Sequence, residues 1–500
     1  MKQKILFLSA LLIITVVVSK AQKEAAHWYF GTNAGLDFMN TQTLNGVTNV
    51  PTFDRGPFAT GEGCFAISDK DGNFLFASDG QSVYNKNKTL MDNGSGLLGH
   101  NSSAQSGIVI PIPESSDLYY IVTASAMEAT RNGLNYNIID LTYNSGLGSV
   151  TLKNKPLPGI IAKADMYENL SVVGHTNGVD YWLIQRARQY FYVWKVTKDG
   201  FSTPLLFDTG VDQGVYTSGT LFRAGMGYIK FSPDGTKVIH MDAAERGNSY
   251  ITFADFDAAT GTVSNIKNVK ANIQSLYGVD FSPSGEYVFI ATHMGAAVSQ
   301  KGLYVTHIDD LVEPSVTLTR LETTLSNVQL AMDGRIYGTS SSSLFAILDP
   351  DIGGASPIAT FTNFFSSHSA VGGAMGLPPF ITSFFNVGEI RTDPQLPVCM
   401  GTEITFSIQI NTGTGQSRIT RLEWDFGDNT PVVSETDMSS SNFSLKHTYP
   451  KRGTYKLTLT PYKEDNLSNE EVVTDKIKTM EVKVASCRLP VNHNTSLMDY

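Results

Sequence analysis

The segment GYIKFSPDGTKVIH (Gly227 to His240) consists of two short apolar runs joined by Pro-Asp-Gly. In such a turn proline presets φ, aspartate bonds its own backbone and glycine accepts a positive φ, which favours a tight hairpin. The pattern recurs in GVDFSPSGEYVFIAT (Gly278 to Thr292), VQLAMDGRIYGTS (Val328 to Ser340) and GCFAISDKDGNFLFASDG (Gly63 to Gly80). Each copy predicts a β-hairpin, so the chain is predicted to repeat one all-β unit.

Turn signals of this kind recur about every fifty residues, the length of one four-stranded propeller blade. They lie at Asp71-Gly72, Glu114 to Asp117, Asn177-Gly178, Asp234-Gly235, Ser284-Gly285 and Asp333-Gly334. A further blade follows if Gly376 to Phe385 pairs with the N-terminal strand His27 to Phe38, because that pairing would remove an open sheet edge. We therefore predict an all-β, about seven-bladed β-propeller over residues 22–390, with six or eight blades as alternatives.

The N-terminus has the composition of a secretory signal peptide. Lys2 and Lys4 precede the apolar stretch Ile5 to Val18, and Ser19-Lys20-Ala21 is a small-residue cleavage site. Removal of residues 1–21 takes away three lysines and changes the formal charge from −10 to −13. No later segment approaches the roughly 20 apolar residues that span a bilayer, so no transmembrane segment is predicted in the mature chain. An acidic exported protein is a poor nucleic-acid binder, so nucleic acid is excluded as a partner.

Cysteine usage is sparse, with three cysteines in 500 residues, so the fold must depend on large hydrophobic cores and not on a disulfide scaffold. Cys399 opens the first strand of the C-terminal region and Cys487 closes its last strand. Because the first and last strands of a sandwich often lie close together, a Cys399–Cys487 disulfide and two free thiols are both open. Cys64 has no obvious partner and is expected to be a small buried core residue.

The composition changes after about Val387, and two prolines between Thr392 and Pro397 indicate a linker. Apolar and polar residues then alternate, as in EITFSIQI (Glu403 to Ile410) and TYKLTLT (Thr454 to Thr460). Alternation is typical of strands with one buried and one solvated face, as in a two-sheet sandwich. A second domain is therefore predicted over residues 391–487, followed by a tail, residues 488–500.

Two segments of this second domain, LEWDFGDNTP (Leu422 to Pro431) and KHTYPKRGTYKLTLT (Lys446 to Thr460), resemble the signature of a PKD domain. The resemblance implies an immunoglobulin-like β-sandwich that serves as a spacer or adhesive module without catalysis. Asp425 and Asp428 are candidate metal ligands, because carboxylates and turn carbonyls suit calcium. The alternative role for both residues is turn formation.

The propeller region resembles exported proteins of Bacteroidetes bacteria that join a propeller to PKD domains, many of which end in a sorting domain for gliding motility or type IX secretion. The resembling residues are HWYFGTNAGLDF, GEGCFAISDKDGNFLFASDGQSVYN, LMDNGSGLLGHNSSAQSGIVIPIP, YYIVTAS and GLPPFITSFF. Only RLPVNHNTSLMDY follows Cys487, which is too short for a sorting domain unless the sequence is a fragment. The resemblance implies export through the inner membrane to the cell surface, the outer membrane or the periplasm.

Sequence motifs of common enzymes are missing: no HExxH, CxxC, phosphate loop or G-x-S-x-G occurs. Arg186 and Arg188 lie in an aromatic-rich strand pair. They are candidates to hold an anionic ligand, such as a carboxylate, at the central channel. The alternative is that both charges face solvent at a strand end.

For four further residues or runs the sequence allows two interpretations. Glu62 and the run His100 to Ser106 either line the top face or fix loops by hydrogen bonds to the backbone. Trp28-Tyr29 and the run Tyr190 to Trp194 either stack on sugar rings or pack in the core.

These observations favour a non-enzymatic, exported interaction or scaffold protein of the cell envelope. The propeller is expected to be a protein- or glycan-binding platform and the PKD domain a spacer or docking module, linked to type IX secretion or gliding motility. Expected partners are envelope or surface proteins, including secretion or motility machinery, or a polysaccharide, and no cofactor is expected. The alternative is a propeller enzyme, a polysaccharide lyase or glycoside hydrolase, whose catalytic groups come from separate blades and leave no local motif.

Overall fold

The computed structural model describes residues 23–214, 225–243, 249–293, 296–322, 325, 327–368, 372–373, 375–385, 390–393, 396–409, 419–438, 442–464, 470–472 and 477–486. The predicted signal peptide, the tail and Cys487 lie outside these residues. In the described part, the N-terminal region is a succession of antiparallel sheets, and the C-terminal region is a two-sheet sandwich.

The first sheet has three strands in the order of the chain: β1 (His27–Phe30), β2 (Ala34–Leu44) and β3 (Val47–Phe53). Six antiparallel meanders follow it. The strands of the first three meanders are β4 (Phe65–Ser68), β5 (Phe74–Ser78), β6 (Ser82–Asn85), β7 (Leu90–Ser95); β8 (Gly107–Pro111), β9 (Leu118–Ala124), β10 (Leu134–Asp140), β11 (Ser149–Pro156); and β12 (Ser171–Gly174), β13 (Tyr181–Ala187), β14 (Tyr190–Thr197), β15 (Gly200–Phe201), β16 (Leu205–Asp208). Those of the last three are β17 (Ile229–Phe231), β18 (Lys237–Met241), β19 (Tyr250–Asp257), β20 (Thr262–Ala271); β21 (Leu276–Phe281), β22 (Tyr287–Thr292), β23 (Leu303–His307), β25 (Thr319–Glu322); and β26 (Gln329–Leu330), β27 (Ile336–Thr339), β28 (Leu344–Ile347), β29 (Ile358–Phe361). The short strand β24 (Ser315–Val316) lies between β23 and β25 in sequence.

Each predicted turn joins the first two strands of a meander, so the hairpin prediction is confirmed. The glycines of the Pro-Asp-Gly and Pro-Ser-Gly turns, Gly235 and Gly285, have φ of 71° and 78°, as the turn chemistry requires. Parallel bridges between β7 and β11 and between β20 and β24 join neighbouring units at their outer edges. β24 therefore belongs to the sheet of β17–β20, although it follows β23 in sequence.

The innermost strands β4, β8, β12, β17, β21 and β26 contact one another in this order and run in one direction. Their starts meet at one rim, where Glu168 N donates to Gly225 O at 3.0 Å and Tyr228 N to Tyr277 O at 2.9 Å. Their ends meet at the other rim, where the Cα of Gly235 faces Val173 of the preceding meander. We call these the loop rim and the turn rim. This ring of meanders around a central channel is a β-propeller.

The ring closes between the first sheet and the last meander, mainly through side chains. Trp28 packs edge-on against Tyr337 at 6.1 Å, and Arg335 Nη1 donates to the carbonyl of Thr48 at 3.0 Å. A single antiparallel bridge joins Thr32 to Gly372.

The expectation that Gly376 to Phe385 pairs as a strand with the N-terminal strand is wrong. These residues, which we call the central segment, contain no strand and end in a 3₁₀ helix, Thr382–Phe385. Pro378 and Pro379 have no N–H to donate, so they cannot form a ladder. The segment instead packs beside β1, with the Phe380 ring 6.1 Å from that of Trp28.

The C-terminal region has two sheets whose apolar faces enclose a separate core. Its strands are β30 (Arg391–Asp393), β31 (Val398–Cys399), β32 (Glu403–Gln409), β33 (Ile419–Asp425), β34 (Val433–Glu435), β35 (Asn442–Thr448), β36 (Gly453–Glu464), β37 (Glu470–Val472) and β38 (Lys478–Ala485). One sheet has the order β30-β32-β35, and the other β31-β38-β36-β33-β34, with β37 paired to β36. Ile404, Phe406 and Ile408 of β32 are buried while the residues between them are less so, which confirms the predicted alternation.

Helical structure in the described residues is limited to short 3₁₀ turns. Besides Thr382–Phe385 these are Asn144–Gly146, Lys163–Asp165, Val298–Gln300, Ile308–Asp310 and Pro350–Ala355. None of the helices in this part of the chain has the length and apolar character needed to cross a membrane.

Candidate functional site

The channel of the propeller contains a buried ion pair that links successive meanders. Lys230 Nζ lies 3.1 Å from Asp280 Oδ2 and donates to Gln329 Oε1 at 2.6 Å. Asp280 Oδ2 also accepts from the backbone N–H of Leu330 at 2.9 Å. All these groups are buried, so the attraction is weakly screened and ties β17, β21 and β26 together.

Sequence reasoning missed this group, although the repeat contains a signal for it. Lys230, Asp280 and Gln329 occupy the same position in three successive hairpins, just before the apolar residue that leads into the turn. A charge with apolar neighbours on both sides, followed by the opposite charge at the same position of the next repeat, predicts a pair across blades. Finding it requires the repeats to be aligned at single-residue precision.

The central segment occupies the channel from one rim to the other. At the loop rim, Leu377 N donates to the hydroxyl of Tyr228 at 3.3 Å. At the turn rim, Ser383 Oγ accepts from Gly174 N at 3.2 Å. The residues between them, including Phe380, are buried. The centre of the ring is thus filled by the chain itself.

Arg186, in β13, is fully buried. Its guanidinium donates to the carbonyls of Arg188 and Val211 and to Thr209 Oγ1, the last two at 2.7 and 2.8 Å. Burial lowers the pKa of Arg186 to about 10. The residue lies neither in solvent nor free in the channel, and its observed contacts are with the protein's own oxygens. Anion binding by Arg186 stays a prediction.

A polar cluster surrounds Arg186 at the loop rim. Asn169 Oδ1 accepts from Arg186 N at 2.9 Å, and Asn169 Nδ2 lies 3.3 Å from His240 Nε2. His240 Nδ1 and Arg186 Nε find no hydrogen-bond partner among the described residues. Burial, together with the charge of Arg186, holds the pKa of His240 well below its usual range, so its imidazole is neutral. Asn169 lies in the loop before β12, Arg186 in β13 and His240 in β18, so the cluster joins residues far apart in sequence and no local motif predicts it.

Glu168 is the buried carboxyl group nearest this cluster in sequence. Its Oε2 accepts from Ala104 N at 2.9 Å, and its Oε1 accepts from Met127 N. Burial raises the pKa of Glu168 well above its usual range, and the charges of Glu62 and Glu128 act in the same direction. A perturbed carboxyl group is a candidate for catalysis, but both oxygens here hold loop backbone in place.

Arg188 lies two residues after Arg186 and is partly exposed, at 37%. Its Nη2 lies 2.5 Å from Asp212 Oδ2, and its Nε donates to Asp212 Oδ1 at 2.8 Å. This forked pair lowers the pKa of Asp212, and the carboxylate balances the positive charge of Arg188. The structure therefore separates the two predicted arginines, and ligand binding by Arg188 stays a prediction.

A serine, a histidine and an aspartate meet at the turn rim, which sequence reasoning also missed. His27 Nδ1 lies 3.0 Å from Ser68 Oγ, and His27 Nε2 lies 3.6 Å from Asp37 Oδ1. The three side chains contact one another in the order Ser68, His27, Asp37, as in a catalytic triad, but Ser68 is only 1% exposed. These contacts of His27 hold β1 against the end of β4 and against β2.

The loop residues and aromatic residues for which the sequence allowed two interpretations contact the rest of the protein. In the run His100 to Ser106, Ser103 Oγ donates to Ala124 O at 3.0 Å, and Gln105 Oε1 accepts from Ile229 N at 2.9 Å. Glu62 N donates to Asn101 O at 3.1 Å. Trp28, Tyr29 and residues 191–194 are buried in the core, whereas Tyr190 is half-buried against it.

In the sandwich, Asp425 and Asp428 cap the turn after β33. Asp425 Oδ1 accepts from Gly427 N at 2.9 Å, and Asp428 Oδ1 accepts from Thr430 N at 3.1 Å. Asp428 Oδ2 lies 2.7 Å from His447 Nε2. Within the described residues no group of three metal-ligating side chains converges. These contacts are those of turn formation, and calcium binding stays a prediction.

Cys64 is a free, buried thiol whose pKa is raised by burial, as expected of a core residue. Cys399 is disulfide-bonded. It pairs with Ala485 across the parallel strands β31 and β38, two residues before Cys487. Because Cys487 lies outside the described residues, the Cys399–Cys487 pairing stays a prediction.

Comparison with known proteins identifies the sandwich. Residues 389–479 match the family model of the PKD domain. None of the curated protein sequences matches the chain.

Solved structures similar to this chain include several propellers. A candidate 6-phosphogluconolactonase from Bacteroides fragilis has 13% identity and a TM-score of 0.44, with 72% of this chain and 98% of that chain covered. The Dos1 propeller has 12% identity and a TM-score of 0.40, with coverages of 71% and 86%. The Cps50 (Swd1) propeller domain of Myceliophteria thermophila has 13% identity and a TM-score of 0.37, with coverages of 70% and 99%. Similarity at this level carries no information about activity. The chain is a β-propeller followed by a PKD domain.

Proposed function

We propose that this protein is a non-enzymatic binding protein of a bacterial cell envelope. The propeller acts as a recognition platform for a protein or a glycan, and the PKD domain acts as a spacer or docking module. The observation that carries the proposal is the filled channel, since propeller enzymes bring catalytic groups from separate blades to this place. Here the place is taken by the central segment and by the paired charges of Lys230 and Asp280.

The remaining recognition surface is the exterior of the ring. At the loop rim, loops within the meanders present charged side chains to solvent, such as Glu128 between β9 and β10 and the partly exposed Arg188 between β13 and β14. Loops on a rigid sheet scaffold are where binding residues concentrate, because the scaffold fixes their ends and leaves their sequence free to vary. We therefore place the binding face on the loop rim.

The proposed cellular location of the protein is based on sequence features alone. The signal-like N-terminus and the resemblance to exported Bacteroidetes proteins support export through the inner membrane. They also support partners among surface, secretion or motility proteins, in a type IX secretion or gliding system, or a polysaccharide. Fractionation of the producing cells tests this proposal, and recovery of an uncleaved chain in the cytoplasm would overturn it.

The decisive test is recovery of tagged full-length chain from its own envelope in mild detergent, with mass spectrometry of near-stoichiometric partners. We expect surface or secretion proteins, and we expect Arg188→Glu at the loop rim to reduce their recovery severalfold. Lys70→Glu is the matched control, because Lys70 is exposed at the turn rim. Equal loss with both variants would contradict binding at the loop rim.

If the chain is recovered alone, an array of polysaccharides distinguishes a glycan-binding role from no binding role. Retention on one polysaccharide without change in its chain length supports the proposal. No retention on any of them, together with no protein partner, overturns it.

The enzyme alternative, a polysaccharide lyase or glycoside hydrolase, has two specific groups to support it. These are the Ser68–His27–Asp37 contacts and the perturbed Glu168 at the loop rim. Turnover of a polysaccharide that disappears in Ser68→Ala or Glu168→Gln, with thermal stability retained, would establish an enzyme and refute the non-enzymatic proposal.

A further inference from the structure

We propose that the central segment, residues 376–385, is an intramolecular peptide ligand and that the propeller channel is its binding site. The ligand class is an apolar, proline-containing peptide that ends in a short 3₁₀ helix. The inference goes beyond the proposed function and shares with it the observation of the filled channel, because it concerns how the ring holds its own chain.

The direction and length of the segment support a peptide bound along the channel axis. It enters beside Leu377 and Tyr228 at the loop rim and reaches Ser383 and Gly174 at the turn rim. Four residue steps from Leu377 to Ile381 at roughly 3.3 Å each, and two steps into the 3₁₀ helix at roughly 2.0 Å each, span up to about 17 Å. This is close to the length of an inner strand such as β21, so the segment fits the depth of the ring.

The segment takes the place that an inner strand of the first sheet would occupy. β1 runs from the turn rim, where His27 meets Ser68, to the loop rim, where Thr32 bridges Ala59. It pairs with β2 on one side only. The central segment contacts β1 through the Phe380 and Trp28 rings and runs in the opposite direction, but it forms no strand pairing there.

The chemistry of the contact is that of peptide recognition by side chains. Pro378 and Pro379 have a fixed φ and no N–H, so burying them leaves no backbone donor unpaired. Phe380 packs against Trp28, and the hydroxyl of Tyr228 meets the backbone at Leu377. Proline-containing segments bound in aromatic-lined grooves are recognised in this way.

The fit is tight at the entrance. A methyl group added at Gly376 would overlap the carbonyl oxygen of Glu62, which is backbone and cannot move aside. At Gly372 the nearest atom to an added methyl group is Ser341 O at 3.4 Å, which is ordinary contact. These two glycines provide a matched pair for mutation.

The test uses the full chain with a site-specific protease sequence inserted between Ser366 and Ser367, in an exposed turn after β29. After folding, the protease cuts the backbone there, so that the propeller strands are no longer covalently linked to the central segment and the PKD domain. We expect the two fragments to co-elute in size exclusion and to appear as one complex in native mass spectrometry. Separation of the fragments without denaturant, with the sheet content unchanged, would overturn the proposal.

Variants of the cut chain test whether the central segment holds the C-terminal fragment on the propeller. We expect Gly376→Leu and Phe380→Asp to release the C-terminal fragment of the cut chain at least tenfold faster, and Gly372→Ala to leave release unchanged. The stacking of His368 on Phe53 and the bridge between Gly372 and Thr32 are not altered by Gly376→Leu or Phe380→Asp. Unchanged release in both Gly376→Leu and Phe380→Asp would show that those contacts hold the fragment, and the proposal would be wrong.

A synthetic peptide with the sequence of residues 375–385 gives a test without mutation. Added in excess to the cut wild-type chain, it should displace the C-terminal fragment, and a scrambled peptide of the same composition should not. Equal displacement by both peptides would mean that the channel does not recognise this sequence.

Discussion

The six meanders and the closing unit, which comprises β1–β3 and the central segment, fill equivalent places in the ring by different means. Each meander is joined by backbone hydrogen bonds from its inner strand to its outer strands. The inner place of the closing unit is taken by a segment with Pro378 and Pro379 that is held by side-chain packing. Burial and shape can therefore complete a propeller where backbone pairing is not available.

The two kinds of unit should differ in how they open. A hydrogen-bonded meander is part of the cooperative fold, whereas a segment held by side chains can leave its site at a lower free energy than global unfolding. The meanders, in turn, contact each other through side chains such as Lys230 and Asp280. Mutations at these two kinds of contact test the difference.

The largest effect is expected at the link between meanders. Lys230→Met leaves Asp280 buried without its ionic partner, and breaking a buried pair in this way costs about 3–5 kcal/mol. Lys237→Met is the matched control in the same hairpin, because its 2.6 Å pair with Asp255 is about one-third exposed and such pairs contribute at most about 1 kcal/mol. Urea denaturation of both variants measures the difference, and equal losses would mean that the channel pair does not stabilise the ring.

The next effect contrasts the closing unit with a meander directly. Phe380→Ala and Phe289→Ala remove equally large buried side chains, and each should lower the free energy of unfolding by about 3 kcal/mol. Hydrogen exchange should then differ: faster exchange confined to the central segment and β1 in Phe380→Ala, and faster exchange throughout the propeller in Phe289→Ala. Identical exchange patterns would contradict separate opening of the closing unit.

A pH effect is expected at the junction of the meanders β12–β16 and β17–β20. Burial lowers the pKa of His240, so below about pH 6.5 the unfolded chain binds a proton that the folded chain does not. Stability should therefore fall as the pH falls below that value. His240→Gln should flatten the slope of unfolding free energy against pH between 6.5 and 5, with part of the slope left because the pKa of His27 is lowered too. An unchanged slope would exclude His240 as the cause.

The smallest effect is expected at the loop rim. Arg188→Ala removes the exposed pair with Asp212, and the loss should not exceed about 1 kcal/mol. The loss should decrease as salt is raised from 0.05 to 1 M, because exposed charges are screened. A loss of several kcal/mol that salt does not change would mean that Arg188 acts through packing.

Much of the fold could be predicted from local sequence. Pro-Asp-Gly turns and the alternation in β32 act over a few residues, so the hairpins and the sandwich strands were predicted correctly. The central segment was not, because two consecutive prolines remove the donors that strand pairing needs. Its aromatic residues and its position at the end of the repeats indicated ring closure but not the mode of closure.

The candidate site could be predicted less well. Arg186 was expected either at the channel or in solvent, but its guanidinium lies between the carbonyl of Arg188, in the hairpin before β14, and that of Val211, in the loop after β16. The Lys230–Asp280 pair joins residues fifty positions apart, and only their equivalent places in the repeat relate them. Side-chain partners of this kind depend on the angle between neighbouring sheets.

The sequence by itself determined the repeating hairpins, the propeller and the PKD domain, because turn chemistry and apolar periodicity act between residues close together in the chain. Only the tertiary structure decided that the central segment fills the channel and that the buried charges meet there. The physical reason is that burial and electrostatic pairing depend on distances across the ring, which exist only once the meanders have assembled around a common axis.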